Sequence, residues 1–180
     1  MLENDQQKKY DIPVSFRYDP FFKNRETFLD YSCLNISETI DHEPFYYDML
    51  VLQSQQEKPW ESPNKYVPLL FEKWKQRVPK INNAFAKRKI NAETNELMIH
   101  CISLFIISLY WSNNSSVKSL NIEDANILKN KIKPINVEER LLFIIKNYTK
   151  FHSFSQLKQL FIEHEKAFYK KAAIDKLKNR

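Results

Sequence analysis

Residues 97–111 read LMIHCISLFIISLYW, the most apolar stretch of the chain, broken only by His100, Ser103 and Ser108. The run continues a helix that starts at Ala92 and from Leu97 onward has no polar face, and such a stretch is enclosed by protein or spans a membrane. A spanning helix needs about 20 apolar residues, and this run falls short. Every other periodic segment carries an apolar stripe that needs something to cover it. The stretch therefore predicts a buried central helix over residues 92–112, with the other helices laid around it.

Working outward, Ser62 and Pro63 form a cap and first-turn pair, and Val67, Leu70, Phe71 and Trp74 follow with i, i+3, i+4, i+7 spacing. Pro79 predicts a stop or kink, followed by a shorter basic helix over residues 80–89. Further upstream, Pro44 opens a helix on which Phe45, Met49 and Leu52 share a face, ending near Gln55. Downstream of the polar turn SNNSS, a short helix is expected over residues 122–130. Asn136 with Glu139 then has the form of a capping box, opening a helix to about Asn147. Ser153 with Gln156 repeats the signature and opens the last helix, where Leu157, Leu160, Phe161 and Phe168 share one face. On that reading Ser153→Ala costs on the order of 1 kcal/mol. The expected fold is an all-α, single-domain bundle of about five to seven helices over residues 44–180. Residues 1–43 precede it as an extended arm whose Phe16, Tyr18, Phe21 and Phe22 pack onto the body.

The chain has 180 residues and no glycine at all, where average usage of about 7% would supply roughly a dozen. Phosphate-binding loops, dinucleotide-binding turns and the serine-hydrolase elbow all require glycine, so those enzyme classes are excluded. Tight hairpins are disfavoured for the same reason, and asparagine is the substitute at left-handed helix ends, with Asn113-Asn114, Asn130 and Asn147 well placed. The apolar fraction of 43% is that of a globular protein, and a mean hydropathy of −0.56 argues against a polytopic membrane protein. The start, MLENDQQKKYD, has no apolar core after its charges, so no secretory leader and no membrane partner are expected, and a cytoplasmic location is. Cys33 and Cys101 belong to no C-x-x-C pair; a bridge between them stays open.

Charge divides the chain. Residues 1–62 hold 12 acidic and 6 basic groups, whereas residues 63–180 hold 10 acidic and 22 basic. Lys73, Lys75, Arg77, Lys80, Lys87, Arg88 and Lys89 occur without an intervening acid, and a second basic run extends from Lys166 to Arg180. Clustered cations are the electrostatic footprint of phosphate contact. The acidic half folding back over them is the competing expectation. The four histidines lack metal-ligand spacing, so neither metal nor cofactor is expected. His164, between Glu163 and Glu165, reads as a solvated helix residue. His100 and Cys101, adjacent on a helix, point about 100° apart and read as core residues rather than as base and nucleophile. The three tryptophans, Trp60, Trp74 and Trp111, also read as core.

The segment KPINVEERLLFIIKNYTKFHSFSQLKQLFIEHEKAF, residues 133–168, with its H-S-F-x-Q-L cap at His152, Ser153, Phe154, Gln156 and Leu157, resembles the YpoC-like family of small proteins from Gram-positive bacteria. The Pro59-Trp60 connector leading to Trp74 does too. The resemblance implies a cytoplasmic bacterial protein and carries over no catalytic residues. Genes of that family often lie near replication and base-excision repair genes, which implies DNA-associated roles by association. Together with the basic runs, this leads to a non-enzymatic helical interaction protein, an accessory factor in DNA or RNA metabolism with a protein partner, nucleic acid, or both. An enzyme built from scattered carboxylates and His152 is the alternative.

The architectural expectation is tested by far-ultraviolet circular dichroism, which should show a helical spectrum; a strand content above about a fifth would contradict it.

Overall fold

The computed structural model describes residues 8–51, 57–122 and 131–178. The expected helix end near Gln55, the helix over residues 122–130 and the left-handed end at Asn130 lie wholly or largely outside the described residues. Those described are mostly helical and contain six α-helices: α1 (Ile36–His42), α2 (Tyr46–Leu50), α3 (Pro63–Ala86), α4 (Ala92–Trp111), α5 (Val137–Lys146) and α6 (Phe151–Lys178). A two-stranded antiparallel ribbon pairs β1 (Lys9–Asp11) with β2 (Thr27–Leu29), Tyr10 opposite Phe28.

The central helix forms where its sequence predicts. Asn91 caps α4 by accepting a hydrogen bond from the Thr94 amide at 2.9 Å. Residues 101–112 are buried without exception. Among the described residues α4 is the one helix long and apolar enough to cross a membrane, yet α3, α6 and the turn Pro59–Glu61 pack on it instead. Its core is continuous with side chains from every other helix.

Before the bundle, Phe16 and Phe22 are buried and meet the ring of Phe45, with Phe21 edge-on to it at 5.7 Å, whereas Tyr18 stays largely outside. Within this stretch Asn35 and Glu38 form a reciprocal capping box at the start of α1, a helix the sequence reading did not assign. Buried Asp48 on α2 accepts a hydrogen bond from the Val117 amide at 2.6 Å and from the Trp111 indole at 3.2 Å. It thereby ties the segment after α4 to the front of the core, and burial pushes its carboxyl up to about 7. Asn113 does comparable work, its amide bonding the backbone at Leu109, Lys131 and Ile132.

Three local expectations are corrected. Pro79 neither ends nor divides α3, which runs through it to Ala86. Pro79 lies on the exposed face, where water takes the Lys75 carbonyl that loses its amide partner, while Trp74 and Ile81 anchor the buried face on either side. Asn136 starts α5 but forms no capping box: its backbone is left-handed and its side chain makes no cap hydrogen bond. Ser153 is not the cap of α6, which begins at Phe151; the hydroxyl lies buried inside the helix without a partner, and Gln156 accepts from Arg140 instead.

With no glycine available, the left-handed positions go to residues that carry side chains. Asn24, Arg88, Asn114 and Asn136 have φ between 51° and 59°. Asn114 terminates α4 as its sequence suggests. At the end of α3, the Arg88 amide donates to Phe85 and the Lys89 amide to Ala84, a paired reverse-turn closure in which arginine occupies the usual glycine place.

Because the Ser153 hydroxyl is buried and unpaired, Ser153→Ala should leave the denaturation midpoint unchanged or raise it, since such a group costs about 1–3 kcal/mol to bury. A fall of about 1 kcal/mol in chemical denaturation would reinstate the capping role.

Candidate nucleic-acid interface

The seven cations of residues 73–89 all lie on α3 or its closure, but the fold treats them differently. Lys73, buried, and Arg77 converge on Asp41 of α1, at 2.5 and 2.6 Å. Partial burial of Asp41 works towards raising its pKa, but the hydrogen bonds from Lys73 and Arg77 prevail and hold the carboxyl below its ordinary range. Lys75 bridges Glu72 and Glu165 at 3.1 and 2.8 Å, and Lys80 pairs with Glu93. These four cations are thus spent within the molecule, one pair of them on the acidic half of the chain.

Lys87, Arg88 and Lys89 are exposed and form no ion pair among the described residues. Half an elementary charge of helix dipole at the end of α3 does not account for three cations in succession. Beside them, Phe85 stacks on Phe154 with centroids 5.6 Å apart and meets Phe151 at 5.7 Å. This joins the end of α3 to the start of α6, where Lys150 is exposed and Lys158 lies over the Phe154 ring at 5.1 Å. Neither residues 73–92 nor residues 140–162 contain an aspartate or glutamate. Two acid-free segments, far apart in the chain, therefore meet at one corner. Sequence reading had the first of them and missed the second, whose lysines are diluted among aromatic and apolar residues. The basic run from Lys166 sits at the far end of α6, up to roughly 40 Å along the helix from Phe151, so the two clusters do not combine.

An enzymatic site would bring titratable groups together in a concavity. A cleft of about 450 Å³ is lined by Phe21, Phe22, Arg25, Glu43 and His100 among others. In it Glu43 is committed to Arg25 at 2.7 Å, and burial takes the His100 imidazole down to about 4. Cys101 is a buried free thiol pushed up to about 12 by burial, and Cys33 is also free, so no bridge joins them. His152, on which the enzymatic alternative leans, is exposed and packs edge-on against Phe143. Trp60, Trp74 and Trp111 are all core residues. Among the described residues no group of His, Cys, Asp and Glu is placed to hold a metal ion.

His164 corrects the sequence reading. It is fully buried between Phe71 and Phe105, with Nε2 3.2 Å from the Ser112 hydroxyl. Its flanking glutamates suggest solvent, but it continues the Leu157, Leu160, Phe161, Phe168 face, and that periodicity decides.

The fold is an enclosed helical bundle in which three exposed cations without an ion pair, Lys87, Arg88 and Lys89, stand at the α3–α6 corner. The YpoC-like protein family matches residues 64–176. A relative from Bacillus subtilis (strain 168), described as the uncharacterized protein YpoC, is 35% identical over 145 residues, 81% of this chain and 87% of its own length. The chain belongs to the YpoC-like family. No solved structure matches it.

Burial takes the His164 imidazole down to about 4 from an ordinary 6.5. The unfolded chain then binds more protons between those values, so His164 makes stability fall as pH drops from about 6.5 to about 4. Comparison with His164→Phe cancels the opposite trend from Asp48. The wild type should lose on the order of 3 kcal/mol relative to the variant between pH 7 and pH 4; a pH-independent difference in denaturant unfolding would contradict the buried neutral imidazole.

Proposed function

We propose that this protein is a non-enzymatic, cytoplasmic accessory protein that contacts nucleic acid without sequence preference through the Lys87, Arg88 and Lys89 corner. The observation that carries the reading is the meeting of two acid-free segments at a place where the cations have no internal partner. Cations already bonded to carboxylates, such as Lys73 and Arg77, gain little by meeting a phosphate, because one ion pair is exchanged for another. Exposed unpaired ones release condensed counterions from the nucleic acid and give affinity that depends on salt. The net charge of +6 adds long-range attraction.

Fluorescence anisotropy with a labelled duplex of about 30 base pairs tests it between about 50 and 200 mM salt. Three or four phosphate contacts give a slope near −3 in log binding constant against log salt. The triple replacement Lys87→Ala, Arg88→Ala and Lys89→Ala should flatten that slope with the fold intact, whereas Arg77→Ala, which breaks the contact with Asp41, should act on stability. If neither duplex nor single-stranded nucleic acid binds at the low-salt end, the reading fails and an acidic protein partner takes its place.

A further inference from the structure

We infer that the nucleic acid held at this corner is single-stranded, with a base stacked on Phe151 while Lys87, Arg88, Lys89 and Lys150 hold the neighbouring phosphates. This rests on the reading above and deepens it. Lysine and arginine at a helix end attract phosphates of either duplex or single strand, so charge alone does not choose. The aromatic side chains do. Phe151 is 57% exposed at the first position of α6, and solvation of so large a ring is unfavourable unless something covers it. Phe85 at 5.7 Å and Phe154 at 6.4 Å pack edge-on or tilted against it, which restrains the ring before any ligand arrives. One helical position on, His152 stands edge-on to Phe143, which is itself 42% exposed. An exposed aromatic ring thus follows Lys150 in the chain and touches Phe85, two residues before Lys87, and aromatic rings beside cations are the pairing that single-strand-binding surfaces use.

A duplex offers only base edges, and can use these rings only by unstacking a base step, a cost a single strand does not bear. A single strand can turn a base outward onto the ring at little cost, and any base has a face to offer. Lys150 immediately precedes the ring in the chain, and Lys87, Arg88 and Lys89 follow Phe85, which touches it.

The experiment is anisotropy at about 50 mM salt with labelled oligothymidylate and a duplex of the same length, on the full chain. Wild-type protein should bind the single strand several-fold more tightly. Phe151→Ala should weaken that binding roughly tenfold, within the range expected for loss of one base stack, and leave the duplex unaffected. Phe151→Leu keeps apolar bulk against Phe85 but has no aromatic face, so it should show the same loss; circular dichroism confirms that both variants stay folded. Equal or tighter binding of the duplex, or single-strand binding unchanged in Phe151→Ala and Phe151→Leu, overturns the single-strand assignment and leaves the salt-dependent contact standing. Binding of neither nucleic acid overturns both.

Discussion

A helix that is apolar on every side has no face to turn to water, and the fold answers to that constraint. Residues 101–111 of α4 are enclosed around their full circumference, which no single neighbour can do. α3 and α6 cover two sides, the Trp60 turn closes another, and α2 with its aromatic surroundings continues the core at the remaining face. Burial on that scale leaves little room for polar atoms. Several of those that enter are held, Asp48 by the Trp111 indole and the Val117 amide, Ser103 and Ser108 by carbonyls of their own helix, whereas the Ser153 hydroxyl is enclosed without a partner.

The same enclosure sorts the charges. Because the aromatic N-terminal portion must pack against the core, it brings Asp41 over the middle of α3, and the opposite signs of the two halves of the chain are partly used up against each other. In the Lys73–Lys89 run the residues left without an ion pair are those that neither Asp41 nor Glu72, Glu93 and Glu165 reach. The candidate surface is the part of the basic run left without an internal partner, and no inspection of that run alone separates Lys73 or Arg77 from Lys87 or Lys89. Ion pairs of this kind contribute modestly when exposed, but the Lys73 ammonium is buried and has a stake in its partner that a surface lysine lacks.

Strongly periodic segments were legible: α4 with its Asn91 boundary, the stripe of α3, the apolar face of α6. Signals of one or two residues were not. Ser153-x-x-Gln156 and Asn136-x-x-Glu139 look like caps, yet packing of α6 set its start earlier and the left-handed backbone at Asn136 turned its side chain away. The one reciprocal box that formed, Asn35 with Glu38, opens a helix too short to display a period. Pro79 predicts a stop or kink, and the helix continues through it because that residue falls on the side facing water, which a sequence does not reveal. Half of the candidate interface was visible in the Lys73–Lys89 run; the other half depends on Phe85 meeting Phe151, a contact across more than sixty residues that no local pattern encodes.

Placing Arg88 and three asparagines in the left-handed region carries a local conformational penalty that glycine would avoid, roughly 1–2 kcal/mol for a residue such as arginine. The compensation lies outside the folded state. Glycine widens the range of shapes open to a denatured chain, and each one replaced by a residue with a β-carbon reduces the entropy lost on ordering by about 0.4–1 kcal/mol where the native backbone tolerates it. A chain of 180 residues without any therefore begins folding from an unusually narrow ensemble. Its native state is favoured partly by how little freedom there is to give up.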